Sequence, residues 1–279
     1  MAVRDISLCI SSLETDFSLL HQGAGLADAW EAHLSCCAMG IQPAPVYSDG
    51  MFVSLDIIAT QMQAGEADIL RFRKNLHIHI KENLPAIELR ETRAFAAGIA
   101  EVTSMYARYA DMLVARMPEK TDTARHGEII EGALFGGGRP VLVLPKAWKP
   151  APLGARVLFA WDASREASRA IHDALPLLAP GAEVCVTTVD AQIGWKKHGE
   201  APGLDIAAHL ARHGLRVTVR NEDSLGKPVG ERLAESARNF NADLIVMGAY
   251  RHAKLAQRLM GGPSHFLIAE SPLPVYLSH

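Results

Sequence analysis

Two stretches of this chain repeat each other about 130 residues apart, and no other feature restricts its fold so severely. Ala110-Asp111-Met112-Leu113-Val114 returns as Ala242-Asp243-Leu244-Ile245-Val246. Leu134-Phe135-Gly136-Gly137 returns as Leu259-Met260-Gly261-Gly262, and the Pro140 to Leu144 run returns from Pro274 to Leu277, in the same order. A period this long is not a solenoid repeat and points to a duplicated domain. The stretch from Pro145 to Gly154 carries Pro150 and Pro152 as well. Proline fixes φ and removes a donor, so neither strand nor helix continues far through it. We place the junction there, giving expected domains of 1–148 and 149–279.

Each half alternates short apolar runs with segments of helical period. Strands are expected at 6–10, 34–40, 87–93, 111–117 and 140–144, then at 156–161, 183–189, 215–220, 243–247 and 273–277. Helices are expected at 15–32, 55–83, 97–108 and 127–135, then at 164–178, 200–213, 228–239, 252–260 and 264–270. The strands are rich in Val, Leu and Ile without polar alternation, the pattern of sheets covered on both faces. Alternating strand and helix implies parallel pairing with right-handed crossovers. The expected fold class is therefore α/β: two flavodoxin- or Rossmann-like domains, each a five-stranded parallel sheet flanked by helices. Ligands of such sheets bind outside the carboxyl ends of the strands at the topological switch point, here the turns after the first and fourth strand of a half.

Composition narrows the partners. The 279 residues carry a formal net charge of -3 with 21% charged residues, no basic excess of the kind that nucleic acid or an anionic membrane selects. No apolar run reaches the ~18 residues of a membrane span, and the N-terminus does not resemble a leader; the cytoplasm is the expected location. Cys9, Cys36, Cys37 and Cys185 sit in strand-like apolar runs and are expected to be reduced and buried. Adjacent Cys36 and Cys37 should point to opposite faces of a strand.

The turn after the first strand of the second half contains Asp162 and Ser164. Ser164 suits a helix cap, and Asp162 is either a turn residue or a carboxylate facing a ligand. The turn after the fourth strand runs from Gly248 through Arg251, Lys254 and Arg258 to Gly261-Gly262-Pro263-Ser264. Here the chain resembles the universal stress protein family, whose nucleotide-binding members carry Gly-x2-Gly-x9-Gly-Ser/Thr at this point and a Pro-Val in the last strand, as in Pro274-Val275. The resemblance implies ATP or another adenine nucleotide, with Mg²⁺, held by Asp162, Val189, Gly248, Arg251, Gly261, Gly262 and Ser264, the backbone of Val189 reading the base. It also implies the strand order 3-2-1-4-5 in each half, and pairing of the two halves through 140–144 and 274–277 as an internal mimic of the family's dimer; a homodimer of whole chains is a further assembly. The physics suits the motif: glycine lets backbone approach phosphate, and N–H groups at a helix start attract anions. Two departures stand out. Arg251 replaces the family's second glycine, where its side chain either fills the pocket or meets phosphate. Gly262 replaces the Ser/Thr, and Pro263 removes a donor that the Ser264 hydroxyl would have to replace.

The first half lacks these groups. Ser11-Ser12-Leu13 offers no acid matching Asp162, the strand-four turn Ala115-Arg116-Met117-Pro118 has no glycine, and Gly136-Gly137-Gly138 leaves no room for a further helix. Those glycines should end a helix, and no nucleotide is expected there. Other constellations carry less. There is no P-loop, and Gly262-Pro263-Ser264-His265-Phe266 misses a glycine of the hydrolase elbow. His209 and His213 have metal-binding spacing but no evident third ligand; they and His77 with His79 read as solvated helix faces. The His33, Cys36, Cys37 group lacks zinc spacing. Gly23-Ala24-Gly25 lacks the third glycine of a dinucleotide fingerprint but permits close packing. The loop from Gly194 to Gly199, with Trp195, Lys196 and Lys197, reads as an ordinary surface loop. The expectation is a stress-response binding or regulatory protein without catalytic residues, since no base or nucleophile is identifiable; slow ATP hydrolysis would need an activating group that the sequence does not name. Two alternatives are a nucleotide-free scaffold and an adenine-nucleotide hydrolase-like enzyme.

Overall fold

A computed structural model describes residues 2–42, 55–194, 198–249 and 262–279. The helix expected at 252–260 and the Trp195-Lys196-Lys197 stretch lie outside the described residues. In the first half the elements are β1 (Asp5–Ile10), α1 (Leu13–Trp30), β2 (His33–Gln42), α2 (Leu55–Asn83), β3 (Glu88–Phe95), α3 (Ile99–Ala107), β4 (Met112–Arg116), α4 (Thr123–Glu131) and β5 (Val141–Leu144). In the second they are β6 (Arg156–Ala160), α5 (Arg165–Ala174), β7 (Glu183–Val189), α6 (Leu204–Arg212), β8 (Arg216–Glu222), α7 (Val229–Asn239), β9 (Leu244–Gly248), α8 (Pro263–Glu270) and β10 (Val275–Ser278).

The strands form one sheet in the order β3-β2-β1-β4-β5-β10-β9-β6-β7-β8, so each half has the expected order 3-2-1-4-5. Every pairing is parallel except the central one, where β10 runs antiparallel to β5 with Val275 opposite Val143 and Leu277 opposite Val141. The expected contact between the two last strands is thus a continuous seam. Side chains alternate across the sheet as the strand period requires. Ile6, Leu8, Val157, Phe159 and Tyr276 face one core with Leu19, Leu76, Ile171 and Leu210. Leu158, Ile245, Val275 and Leu277 face the other with Ile129, Leu233 and Leu267. Cys36 lies in the first core and Cys37 in the second, and all four cysteines are free and buried.

The repeated Ala-Asp pair has a structural cause. Asp111 accepts hydrogen bonds from the N–H groups of Arg4 and Asp5 at 2.7 and 3.1 Å, just where β1 begins. Asp243 does the same for Gly154, Ala155 and Arg156 at the start of β6. A carboxylate thus satisfies the otherwise unpaired donors at the amino-terminal end of the first strand of each half.

The junction is docked, not loose. The buried amide of Gln22 on α1 donates to the carbonyls of Pro145, Lys146 and Trp148. A Cβ on Gly25 would lie 2.6 Å from the Pro150 ring, and one on Gly23 3.0 Å from Leu8; this glycine pair serves close packing. The last helix of the first half differs from expectation. α4 starts four residues earlier than the sequence suggests and runs on into a π-helical turn over Gly132–Gly137, ended by Gly138 at φ 64. The turn presses on α3 so closely that a Cβ on Gly132 would lie 2.3 Å from the Ala100 carbonyl. The glycines therefore end a helix, as expected, and the chain enters β5 directly.

Candidate functional site

The carboxyl ends of β6, β7 and β9 meet at a cleft of about 90 Å³. Its floor is Ala160, Thr187 and Met247, its walls are Val189 at the end of β7 and Val229 with Leu233 on α7, and its mouth carries Trp161, Asp162, Gly248 and Pro263. This is the switch-point position that the fold class designates for ligands. A whole small-molecule site encloses roughly 300–1,000 Å³, so a ligand of that size would use this cleft as one end of its site. That end is apolar apart from Thr187 and Asp162, suited to a flat, weakly polar ring.

The turn from β6 into α5 is built by local hydrogen bonds. Asp162 Oδ1 accepts the N–H of Ser164 at 3.0 Å, and Ser164 Oγ accepts the N–H of Ala167 at 3.1 Å, capping α5. Ala163 between them takes φ 57. Asp162 therefore has a turn role and also lines the cleft. Gly248 is required by its neighbours: a Cβ there would lie 2.6 Å from the backbone of Glu166 and Ala167. That close approach of strand end to helix start is what lets both elements border one cleft.

Gly262 takes the N-cap position of α8, in extended conformation and with open space on its Cβ side. Pro263 follows at the first helical position. Ser264 is buried, and its hydroxyl lies 3.5 Å from the Gly248 carbonyl, to which it donates; it turns toward the strand end. Arg251 and Gly261, with Lys254 and Arg258, lie outside the described residues. Asp162, Val189 and Gly248 are thus brought to one cleft, Gly262 and Ser264 stand at the helix that borders it, and Asp190 beyond Val189 accepts the N–H of Ser224 at 2.9 Å in a surface turn. Sequence reasoning missed the walls Val229 and Leu233. Their signal was there: two apolar residues one turn apart at the start of the helix before the fourth strand.

The equivalent place in the first half is filled from within. By strand register, Arg116 ends β4 where Gly248 ends β9. Arg116 is fully buried. Its guanidinium donates to Asp16 Oδ1 at 2.9 Å, to the Met117 carbonyl at 3.0 Å and to Asp122. Asp16 in turn accepts the N–H groups of Ser11 and Ser12 at 2.9 and 3.1 Å, and His126 Nε2 lies 3.2 Å from it. Burial alone would raise the pKa of Asp16, but His126, the Ser11 N–H and Arg116 hold it well below the usual carboxylate range. The strand-one turn of the first half has no acid of its own, as expected; Asp16, within the first turn of α1, reaches back to it and binds the chain's own arginine.

Among the described residues, no cluster of three or more His, Cys, Asp or Glu side chains surrounds a common point as a metal site would, and no helix is long and apolar enough to cross a membrane.

Residues 155–279, a little under half of the chain, match the family model described as Universal stress protein family. Among solved structures, the chain is similar to a universal stress protein from Archaeoglobus fulgidus DSM 4304, with a TM-score of 0.68 and 18% identity over 99% of this chain and 96% of that one. It is also similar to a functionally unknown protein from Pseudomonas aeruginosa PAO1, with a TM-score of 0.52 and 13% identity over 99% of this chain and 92% of that one. At these identities the likeness is one of fold, and it spans both halves. No curated protein matches the chain.

Proposed function

Residues 155–279 of this chain are a universal stress protein domain, and from that premise we propose a stress-response binding protein that takes ATP or another adenine nucleotide in its C-terminal half. One observation carries the reading: where Arg116 plugs the end of β4, Gly248 at the end of β9 meets no plugging side chain among the described residues and opens beside apolar walls fit for a purine, at the switch point. Val189 and Val229 would flank the base, and the Asp162 carboxylate at the mouth stands where ribose hydroxyls would follow. Gly262, with open space beside it, lets phosphate approach the start of α8. Mg²⁺ would come with the phosphates. We divide the chain at 148/149 and assign the first domain a supporting role, because Arg116 and its carboxylates occupy its equivalent site. Asp162 is the one acid on the cleft's described walls, and it is engaged in the turn, so we assign binding and no catalysis.

A second reading, a nucleotide-free scaffold, is favoured by Pro263. It faces the cleft at the first helical position without an N–H, and the Ser264 hydroxyl beside it is directed at Gly248.

Denaturing the purified chain and weighing what it releases decides between them. An adenine nucleotide near one per chain, lost in Gly261→Val and in Val229→Trp, supports the binder. No released nucleotide together with no thermal shift on adding ATP and Mg²⁺ would establish the scaffold.

A further inference from the structure

We propose that the solvent face of α2 is the contact through which two copies of this chain associate, with their α2 helices antiparallel. The helix has 29 residues and is about 44 Å long at a rise of 1.5 Å per residue. Four of the eleven large apolar side chains exposed among the described residues sit on it: Ile57 at 52%, Met62 at 60%, Leu70 at 56% and Ile78 at 46%. Single exposed apolar residues mean nothing, but several gathered on one element mark an interaction surface.

The helix has one covered side. Ile69, Leu76 and Ile80 are buried, the last two within the first core. At 100° per residue these three point one way. Ala67, Leu70, Lys74, Ile78 and Lys81 point the other way and are exposed. Toward the amino-terminal end even the covered side is lost: residues 56–64 are all exposed except the half-buried Ile58. Helices in proteins draw most of their stability from packing an apolar face, and these turns find little to pack on among the described residues.

A second α2 fits in length, shape and charge. Antiparallel pairing centred between Asp68 and Ile69, the middle of the helix, overlaps the two copies from end to end. It sets Asp56, in the first turn, level with Lys81 of the second copy, in the last turn, and makes every contact twice, as a twofold axis requires. Leu70 then comes level with Ala67 of the second copy and Ile78 with Ala59. Large against small lets the helices close to the roughly 8–10 Å of packed pairs. Asp68 and Arg71, 3.1 Å apart within one copy, would meet the same pair of the second copy in an alternating ring of charge. Parallel pairing would instead set Lys74 on Lys74 and Lys81 on Lys81. The placement also suits the clefts. α2 packs on β2, at the end of the sheet remote from β6, β7 and β9, so the half whose own pocket is filled carries the assembly and both clefts of the pair stay open.

Sedimentation velocity of the full chain over a concentration series tests this. A monomer–dimer equilibrium is expected. Leu70→Glu should weaken it more than about tenfold, as loss of a central anchor does. Asp56→Lys and Lys81→Asp should each weaken it, and the double variant Asp56→Lys/Lys81→Asp should restore it, which a folding defect would not. All three positions are exposed, so the variants stay folded, as circular dichroism would verify. A monomer at every concentration, which would leave the face to a different protein, an assembly that Leu70→Glu leaves intact, or a double variant no better than either single one would overturn the proposal.

Discussion

Arg116 and Gly248 occupy equivalent strand ends and show how one residue decides the fate of a site. Glycine lets α5 press against β9, whereas arginine recruits Asp16, Asp122 and His126 into a buried network. Breaking one partner of such a network strands the others, so Arg116→Met should cost about 3–5 kcal/mol in urea unfolding. Replacing Arg116, Asp16 and Asp122 together with apolar residues of similar volume should cost less than the single change. The pH dependence has a definite sign. Asp16 and Asp122 are both held below the ordinary carboxylate value. Their contribution is complete above the unfolded pKa of about 3.9 and fades as pH falls through the lower folded values. The stability difference between the wild type and Arg116→Met should therefore shrink as melts are taken from neutral pH to below about 4. Gly248→Ala drives a Cβ into the backbone of α5, and overpacking of this kind costs about 1–3 kcal/mol; the same melts would register it.

At the scale of single elements, caps fix where helices begin and end. Ser164→Ala removes the bond to the Ala167 N–H and should lower stability by about 0.5–2 kcal/mol, with hydrogen exchange accelerated in the first turn of α5. Gly138 sits at φ 64 with open space around it, so Gly138→Ala meets only the left-handed backbone cost of about 1–2 kcal/mol. Strands were legible because both faces are buried and their apolar runs stand out between turns. The Ser164 cap and the terminating glycines were equally legible from residue chemistry, and the β5–β10 pairing was expected from the family resemblance. The Arg116 network was not. Its acids, Asp16 and Asp122, lie inside or just before helices and 100 and 6 residues from Arg116, and nothing in a linear pattern pairs them.

For the molecule as a whole, the antiparallel seam does the joining. Either half alone would expose the unpaired edge of β5 or β10, with fully buried Val141, Val143, Val275 and Leu277 flanking it. Exposed apolar edges recruit other strands. Residues 1–148 and 149–279 expressed separately should each sediment as dimers or larger species in analytical ultracentrifugation, and mixing them should yield a one-to-one complex. The seam has a further consequence for how the chain would report a ligand. Two identical units facing each other across a pseudo-twofold axis could influence one another, and saturation would then be sigmoidal or biphasic. Here one unit has filled its own pocket with Arg116, so a ligand in the other has no twin across the axis. Occupancy should rise as a simple hyperbola with a Hill coefficient of one: a graded gauge of concentration, where a symmetric pair would have been free to become a switch.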